Sequence, residues 1–556
     1  MNKITSIKNL LIVFLVLLYH LSFAQSYSEI LGRPTDTSIT ISILFNQPYD
    51  VYWEYGTSPG VYTNTTNTFT TIDSLPLEVD FLNLTTNTKY YYRTRYRLAN
   101  TNGVFGAGVE HSFYTHRPPG STFSFAVEAD PHLDTNTIPA SLTLSMQNML
   151  AKKVDFLVDL GDNFLSEKYV LMPGQQSPIA HYQDTILYRT KLFRPYFGTL
   201  CHSAPLFLTI GNHEGELGWK ITGTDSSMPV VATNTRKQYY PNPYPNSFYT
   251  GNDSSEQYVG LREDYYAWNW GDALFVVIDP YWFTKPSQHG GWGWTLGSRQ
   301  FEWFKNTLRK STAKYKFVFA HQLVGGNPSG NDGRGGIEFA DLFENGGRSA
   351  DSTWDFDSAR KHWEEPLHAL MLENKVNIYF HGHDHFYGKQ EKDGMIYQEV
   401  PQPSAKNIKS FNVGTSYPWT SSYGYSNGKI LCNRGYLNIT VCPDSVKVDY
   451  VKTYLPSEET SLVHNLDIAD SYVIKNTTPT GNTTYRFTGN GKWDVSSNWE
   501  NGLMPPTVLP AGSSIIVDPV TNGKCQLNKT QIISTGANFT VVQGKIFEAP
   551  GTLLQH

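Results

Sequence analysis

Short apolar runs recur through the middle of this sequence, and each is about the length of a buried β-strand. They occupy residues 123–127, 154–160, 205–210, 274–278, 315–320 and 376–380. Between two of them, Phe301, Phe304 and Leu308 have the spacing of one apolar helix face. Strands that alternate with helices are typical of α/β domains. We therefore predict an α/β domain in which β-sheets are flanked by helices, closed by a strand pair at 436–441 and 446–451.

The chain has 556 residues, which is too many for one hydrophobic core, so several domains are expected. Residues 26–117 contain short alternating runs, such as Ile39-Thr40-Ile41, between turn sequences, which predicts a β-sandwich. The α/β domain is predicted to occupy residues 118–456. A linker at 457–484, rich in Thr, Asn and Gly towards its end, then leads to a small β-rich C-terminal module at 485–556.

Residues 1–24 have the features of a secretory signal peptide. Lys3 and Lys8 precede an apolar run at 10–18, and Ser22-Phe23-Ala24 offers small residues at a cleavage site. The run is shorter than the ~20 apolar residues that a membrane span needs. We therefore expect a protein that is secreted or held at the cell surface after cleavage, with the periplasm as an alternative location.

The composition excludes some classes of function. The net charge is −6, with 39% hydrophobic and 17% charged residues, which is an ordinary globular balance. No basic stripe is present, so binding to a nucleic-acid backbone is not expected. The cysteines Cys201, Cys432, Cys442 and Cys525 form no CxxC pair, which argues against a structural zinc knuckle. Their disulfide pairing is left open.

Five polar motifs follow five of the predicted strands, the place where α/β sheets usually bind ligands. In chain order they are Asp130-Pro131-His132, Gly161-Asp162-Asn163, Gly211-Asn212-His213-Glu214, Ala320-His321 and Gly382-His383-Asp384-His385. Each motif alone has an ordinary explanation, such as a turn or a helix cap. Together they collect carboxylate, imidazole and carboxamide groups, which are ligands of divalent metals.

In order and spacing, the five motifs resemble the calcineurin-like metallophosphoesterase family over about residues 120–455. The resemblance implies two adjoining metal sites, filled by two divalent or mixed-valence ions (Zn, Mn or Fe). Metal one would be bound by Asp130, His132, Asp162 and His385. Metal two would be bound by Asp162, Asn212, His321 and His383. Asp162 would bridge the two ions, since its two oxygens can serve two cations.

The resemblance also implies hydrolysis of a phosphate ester, in which two cations about 4 Å apart activate a bridging hydroxide. Asp162 and His213 are the expected catalytic residues, and His213 would stabilise developing charge or protonate the leaving oxygen. Glu214 is expected to support the ligands from behind. Arg334, in a glycine-rich loop at 330–347, is a candidate phosphate ligand or simply a solvated loop residue.

The predicted architecture is similar to that of purple acid phosphatases, in which a fibronectin type III-like domain precedes the catalytic domain. Phe81-Leu82-Asn83-Leu84, followed by a tyrosine-rich run at 90–92, resembles the pattern of such domains. Purple acid phosphatases carry a tyrosine ligand three residues after the bridging aspartate, and Leu165 occupies that position here. They also have Asp-x-Gly where this chain has Asp130-x-His132, so we expect His132 to replace the missing tyrosine.

The resulting expectation is a secreted hydrolase, a binuclear phosphatase of small phosphate monoesters. A phosphodiesterase that acts on nucleotide or phospholipid headgroup esters is the alternative within this class. A surface binding protein with an inert central domain is the alternative from another class. The C-terminal module contains Gly491-Lys492-Trp493-Asp494, which resembles repeat modules of bacterial surface proteins. This module is the part expected to contact a cell surface or carbohydrate.

Overall fold

The structure is a computed structural model that describes residues 27–166, 181–285, 291–328, 333–408, 422–475 and 483–555. The predicted signal peptide at 1–24 lies outside these ranges. Within them, no helix combines the length and the apolar character that crossing a bilayer requires. All four cysteines fall inside the described ranges, and none of them is joined in a disulfide there.

The N-terminal region is a sandwich of two antiparallel sheets. Its strands are β1 (Tyr27–Gly32), β2 (Ile39–Phe45), β3 (Tyr49–Gly56), β4 (Asn64–Thr65), β5 (Phe69–Thr70), β6 (Leu77–Phe81), β7 (Lys89–Leu98), β8 (Gly106–Ala107) and β9 (His111–Tyr114). One sheet has the order β1-β2-β6, and the other is built around the long β3–β7 pair. Ile41, Trp53, Phe81 and Tyr92 fill the space between the sheets. Residues of β2 alternate between this core and the opposite face, as the sequence pattern predicts.

The central region supplies strands and helices in alternation. The strands are β10 (Phe123–Glu128), β11 (Leu157–Asp159), β12 (Leu206–Leu208), β13 (Thr250–Gly251), β14 (Tyr266–Trp270), β15 (Ala273–Val277), β16 (Tyr315–Phe319), β17 (Ile378–His381), β18 (Tyr387–Lys392), β19 (Met395–Glu399), β20 (Lys429–Leu431), β21 (Gly435–Val441), β22 (Ser445–Lys452) and β23 (Ile468–Lys475). The helices are α1 (Pro139–Lys152), α2 (Tyr182–Cys201), α3 (Met228–Tyr239), α4 (Gly297–Lys310), α5 (Phe343–Gly346), α6 (Phe356–Ala359) and α7 (Leu367–Glu373), with short 3₁₀ turns at Gly218–Lys220, Gly291–Gly293 and Ile337–Phe339.

These strands form two mixed sheets that pack face to face. The first has the order β12-β11-β10-β21-β22-β23, and the second has the order β13-β14-β15-β16-β17-β19-β18-β20. Aromatic rings fill the interface, for example Phe125 and Phe275, whose ring centroids are 5.1 Å apart. Helices α1 and α2 cover the outer face of the first sheet, and α4 and α7 cover the second. The predicted α/β architecture, with sheets flanked by helices, is confirmed.

The predicted linker needs a correction. Residues 457–484 were expected to lie outside the α/β domain, but β23 at Ile468–Lys475 pairs antiparallel with β22 and forms the outer strand of the first sheet. The sequence pattern does not reveal this strand because polar and apolar residues do not alternate cleanly along it. Asp470 shares the half-buried row with Tyr472 and Ile474, whereas Val473 is exposed. The α/β domain therefore extends to residue 475.

The C-terminal region winds as a three-sided parallel β-solenoid. Its strands are β24 (Thr484–Phe487), β25 (Gly491–Lys492), β26 (Val508–Leu509), β27 (Ser514–Val517), β28 (Lys524–Gln526), β29 (Gln531–Ile533), β30 (Asn538–Val541), β31 (Ile546–Glu548) and β32 (Leu553–Gln555), with 3₁₀ turns at Ser496–Asn498 and Glu500–Gly502. Every third strand pairs in parallel, giving the sheets β24-β27-β30, β25-β28-β31 and β26-β29-β32. The prediction of a β-rich module is confirmed. Its solenoid topology goes beyond that prediction.

The solenoid packs against the α/β domain. Ile532 is fully buried in the same apolar cluster as Leu367 and Leu370 of α7. The Arg348 Nη2 atom donates a hydrogen bond to the Pro550 carbonyl at 3.1 Å. The module is therefore joined to the α/β domain by an apolar contact as well as by the chain.

We predict that a chain ending at Thr478 still folds and binds metal, because β23 is retained and the candidate ligands all precede it. Loss of the contact around Ile532 exposes apolar surface, so the thermal midpoint should fall. Scanning calorimetry and metal analysis of the shortened and full-length proteins test this. An insoluble or metal-free shortened protein would show that the α/β domain does not fold without the solenoid.

Candidate metal centre

The five polar motifs lie at the carboxyl ends of parallel strands. Strands β10, β11 and β12 are adjacent in the first sheet, and they lead into Asp130, Asp162 and Asn212. Strands β16 and β17 are adjacent in the second sheet, and they lead into His321 and His383. Because the two sheets pack face to face, these strand ends meet at one edge of the domain. The convergence predicted from the sequence is present.

The side chains form two overlapping groups that are suited to hold cations. In each group, one potential ligand atom per residue lies within 4.8 Å of all the others. The first group consists of Asp130, His132, Asp162 and His385. The second consists of Asp130, Asp162, His321 and His383. The two aspartates belong to both groups, so the carboxylates lie between the two candidate positions.

The potential ligand atoms of the first group lie close to van der Waals contact with one another. His132 Nε2 lies 3.4 Å from Asp162 Oδ2 and 3.6 Å from Asp130 Oδ1. His385 Nε2 lies 3.3 Å from Asp130 Oδ1. In the structure described, hydrogen bonds leave unpaired four buried atoms that face this centre: Asp130 Oδ1, Asp162 Oδ2, His132 Nε2 and His385 Nε2. A cation would satisfy all four, so this donor set fits a metal ion.

The second group converges on His321. Its Nε2 atom lies 3.2 Å from Asp162 Oδ2, 3.0 Å from Asn212 Oδ1 and 3.1 Å from His383 Nδ1. The other ring nitrogen, Nδ1, lies 2.9 Å from the Leu160 carbonyl. A hydrogen bond from Nδ1 to that carbonyl leaves the Nε2 lone pair free for a metal. The ligands predicted for metal two are therefore together.

Each aspartate divides its two oxygens between backbone and centre. The backbone amide of His383 donates to Asp130 Oδ2 at 2.8 Å, and that of His213 donates to Asp162 Oδ1 at 2.8 Å. The remaining oxygens, Asp130 Oδ1 and Asp162 Oδ2, point to the ligand groups described above. The carboxylates thus bind the motif loops to one another and still present a charged oxygen at the centre.

The charges of the site favour a cation. Burial alone would raise the pKa of Asp130 and Asp162, but the neighbouring histidines hold both pKa values well below the usual range. Burial would also lower the pKa of His132 and His321. The nearby carboxylates instead raise the pKa of His132 to about 10 and that of His321 to about 9. At the other two histidines burial dominates, and it lowers the pKa of His385 to about 4 and that of His383 well below its usual value. The carboxylates therefore stabilise positive charge at His132 and His321.

The backbone is strained where it carries the ligands. Asp130, His132, Asp162, His383 and His385 all have positive φ angles, between 48° and 79°. Such conformations cost about 1–3 kcal/mol each and persist only when the surroundings impose them. Gly161, at φ 94°, also touches the neighbouring motif, since a Cβ there would lie 2.5 Å from the Gly211 nitrogen.

Glu214 is one of the groups that impose this conformation. Its carboxylate accepts hydrogen bonds from the backbone amides of Asp162, Asn163 and Phe164 at 2.9, 2.7 and 3.2 Å, and from that of Gly211 at 2.5 Å. Burial raises the pKa of Glu214 to about 7. Its placement behind the ligand loop agrees with the supporting role expected from the sequence.

His213 and Arg334 lie at the site without joining either ligand group. His213 Nε2 is 3.9 Å from Asp162 Oδ2, and its side chain is 13% exposed, whereas those of His321 and Asp162 are 0% and 1% exposed. Arg334 Nη1 donates to the His383 carbonyl at 2.7 Å and lies 3.5 Å from Asp384 Oδ1. Arg334 thus contacts the loop that carries the candidate ligands His383 and His385, and its side chain is 20% exposed.

Two residues near the ligands were not expected from the sequence. Gln402 Nε2 donates to the Asp130 carbonyl at 2.8 Å, and the Asn433 side chain donates to the His385 carbonyl. Both amides thus hold the backbone of a ligand residue. They follow no predicted strand of the motif series, so the sequence pattern offers no signal that would place them here.

Comparison with known proteins agrees with this geometry. A family model of calcineurin-like phosphoesterases matches residues 123–387, a stretch that contains all five motifs. The central region of the chain is therefore a calcineurin-like metallophosphoesterase domain.

Two solved structures share the fold. One is PhoD, with a TM-score of 0.57 and 16% identity, over 82% of this chain and 91% of that one. The other is the purple acid phosphatase PPD1 from yellow lupin seeds, with a TM-score of 0.50 and 17% identity, over 80% of this chain and 74% of that one. At such identities the likeness concerns the fold alone. No curated protein matches the sequence significantly.

We predict that Asp162→Asn weakens metal binding at both positions, because the neutral amide removes a charge that both groups share. The loss should exceed the 10–100-fold that is typical when only an outer hydrogen-bond partner is removed. Isothermal titration with Zn²⁺ measures it. Asp155→Asn is the matched control: Asp155 is also buried, but it precedes β11 and pairs with Arg117. Two tight sites in Asp162→Asn would contradict the shared position of this carboxylate.

Proposed function

We propose that this protein is a hydrolase that cleaves phosphate monoesters with two bound metal ions. The observation that carries the proposal is the pair of overlapping ligand groups, which share Asp130 and Asp162 at the edge where the two sheets meet. Metal one is assigned to Asp130, His132, Asp162 and His385. Metal two is assigned to Asp162, Asn212, His321 and His383. When bound, two such cations lower the pKa of a water molecule and neutralise the charge of a phosphate.

The protein groups have separate tasks in this proposal. Buried imidazoles and carboxylates hold the cations in fixed positions, so little reorganisation is needed when charge develops. His213 stands at the more exposed side, close to the bridging carboxylate but outside both ligand groups. A histidine there can donate a hydrogen bond to a phosphoryl oxygen or a proton to the leaving oxygen. Arg334, held by the His383 carbonyl, is a candidate to pair with a phosphate oxygen.

The preference for monoesters is proposed because a β-sandwich precedes the phosphoesterase domain, as in purple acid phosphatases. Turnover of p-nitrophenyl phosphate and of its bis-ester by the metal-loaded protein tests this preference. A higher kcat/KM for the monoester is expected. A preference for the bis-ester would indicate a phosphodiesterase. Two bound metals without turnover of either ester would favour the alternative of a binding protein with an inert centre.

We also propose that the enzyme acts outside the cytoplasm on small phosphate esters. The support is the signal-like segment at 1–24 and the moderate net charge of −6, which provides no basic surface for nucleic acids. The β-solenoid is proposed as the part that meets a cell surface or carbohydrate.

His213→Ala is predicted to lower kcat by roughly 10²–10⁴, the usual cost of losing a general acid or a charge-stabilising donor. The metal content should stay close to two, because His213 belongs to neither ligand group. Steady-state kinetics and metal analysis of the same sample provide both readings. Replacement of the exposed His464 by alanine controls for loss of a histidine elsewhere. Stoichiometric loss of one ion in His213→Ala would instead make His213 a ligand.

The enzyme is predicted to lack the colour of purple acid phosphatases, which comes from a tyrosinate bound to ferric iron. The corresponding position is Leu165, which is fully buried, and Phe164 beside it stacks on Tyr240. Another tyrosine, Tyr281, lies near the site, with its ring centroid 6.5 Å from that of His321. Its hydroxyl donates a hydrogen bond to Gln322, so it is not the tyrosinate that such a colour requires. His132 provides a neutral nitrogen in place of a phenolate, which favours divalent Zn, Mn or Fe over ferric iron.

The colour prediction is checked by the visible spectrum and metal content of aerobically purified protein. A strong charge-transfer band in the visible range would contradict it and would remove the role assigned to His132. His132→Tyr is an informative companion, since a band that appears only in this variant would place residue 132 at the metal.

A further inference from the structure

Helix α2 carries charged side chains on the face that it buries. Phe193 and Phe197 pack against the first sheet, and Arg189 is buried on the same helix at 3% exposure. Arg194 is likewise buried on this helix. A guanidinium in such a place is costly unless its donors are satisfied, so the partners of Arg189 indicate what it does.

The donors of Arg189 reach the two loops that carry the ligands of metal one. Nη1 donates to the Leu133 carbonyl at 3.0 Å, and Nη2 donates to the His132 carbonyl. Nε donates to the Phe164 carbonyl at 3.0 Å, and Nη2 also donates to the Asn163 carbonyl at 3.0 Å. One planar group therefore joins the loop of His132 to the loop of Asp162.

These carbonyls lie in two loops whose backbone does not pair as a strand. In the first loop, the φ angles of His132 and Leu133 are 48° and 50°. In the second loop, Asn163 and Phe164 lie between Asp162 and Leu165, whose φ angles are 62° and 42°. Buried carbonyls need a donor, and the fork of an arginine offers several donors in a fixed plane. Burial lowers the pKa of Arg189 to about 10, which still leaves it charged near neutral pH.

Glu214 binds the same loop through its amides. The amides of Asn163 and Phe164 donate to Glu214 at 2.7 and 3.2 Å, whereas the carbonyls of these two residues accept from Arg189. The loop after Asp162 is therefore held between a buried carboxylate and a buried guanidinium. Of the two, Arg189 also extends to the loop of His132.

We propose that Arg189 is a positioning residue for metal one, which sets His132 and Asp162 at the spacing that the ion requires. This inference rests on the proposed function, because it assumes that the first ligand group binds a metal. Arg189 acts through the backbone of the ligands and does not touch the ion or the substrate. Metal two depends on it less, since Asn212, His321 and His383 lie on other loops.

The test compares Arg189→Met and Arg189→Lys with Arg194→Met. Arg194 is the matched control, because it is buried on the same helix but donates to Ser42 O at 2.9 Å and Ser28 Oγ at 3.1 Å in the N-terminal sandwich. Stepwise Zn²⁺ affinities are measured by competition with a chromophoric chelator. His132→Ala and Asn212→Ala identify which step belongs to metal one and which to metal two.

We expect Arg189→Met to weaken metal one by about 10–100-fold and metal two by much less. Arg189→Lys should lie between Met and the wild type, since an ammonium keeps the charge but cannot span four carbonyls. Arg194→Met should lower the thermal midpoint and leave both affinities unchanged. In the His132→Ala background, Arg189→Met should have a smaller effect on metal one, because its main target is already lost.

Hydrogen–deuterium exchange of the metal-free protein makes the test independent of activity. The amides of residues 162–164 should exchange with deuterium faster in Arg189→Met than in Arg194→Met. Wild-type affinity for metal one in Arg189→Met overturns the inference, and so does an equal loss at both positions that Arg194→Met reproduces. If the wild-type protein binds no pair of Zn²⁺ ions, the proposed function fails first, and that outcome is distinct because it does not involve the variants.

Discussion

Two buried carboxylates set the central constraint on this molecule. Asp130 and Asp162 have almost no exposure, so each negative charge must be compensated inside the protein. Each accepts one backbone amide from a different motif loop and turns its other oxygen towards a set of imidazoles. The same two groups therefore connect loops from both sheets and create a position where positive charge is stable.

The strand arrangement makes this constraint possible to satisfy. Parallel strands in two facing sheets end at a common edge, and only there can loops distant in sequence place carboxylates and histidines within a few ångströms. The convergence requires strained left-handed backbone conformations at the candidate ligand residues. Glu214 and Arg189 offset this strain by hydrogen bonding to the amides and carbonyls of the same loop. Stability and function thus depend on one network at this edge.

Each flanking region contacts a helix of the α/β domain. The N-terminal sandwich meets α2 through Arg194, which donates to Ser28 and Ser42. The solenoid meets the opposite layer, where Ile532 joins the apolar cluster of α7. Helix α2 therefore has two tasks, since Arg194 faces the sandwich and Arg189 faces the ligand loops. The side chains of His213 and Arg334 are 13% and 20% exposed.

The sequence by itself determined the strand runs, the α/β class, the β-rich ends and the candidate ligand residues, because periodicity and strand-end motifs are local properties. It also identified Glu214 beside the ligands. Only the tertiary structure decided which loops meet. The sequence pattern therefore could not indicate that the side chains of Arg189, Gln402 and Asn433 donate to the backbone of His132, Asp130 and His385, respectively. The same holds for β23, which lacks a clean alternation of polar and apolar residues, and for the winding of the solenoid. Contacts between residues far apart in the chain leave no periodic pattern, and only the packed sheets bring them together.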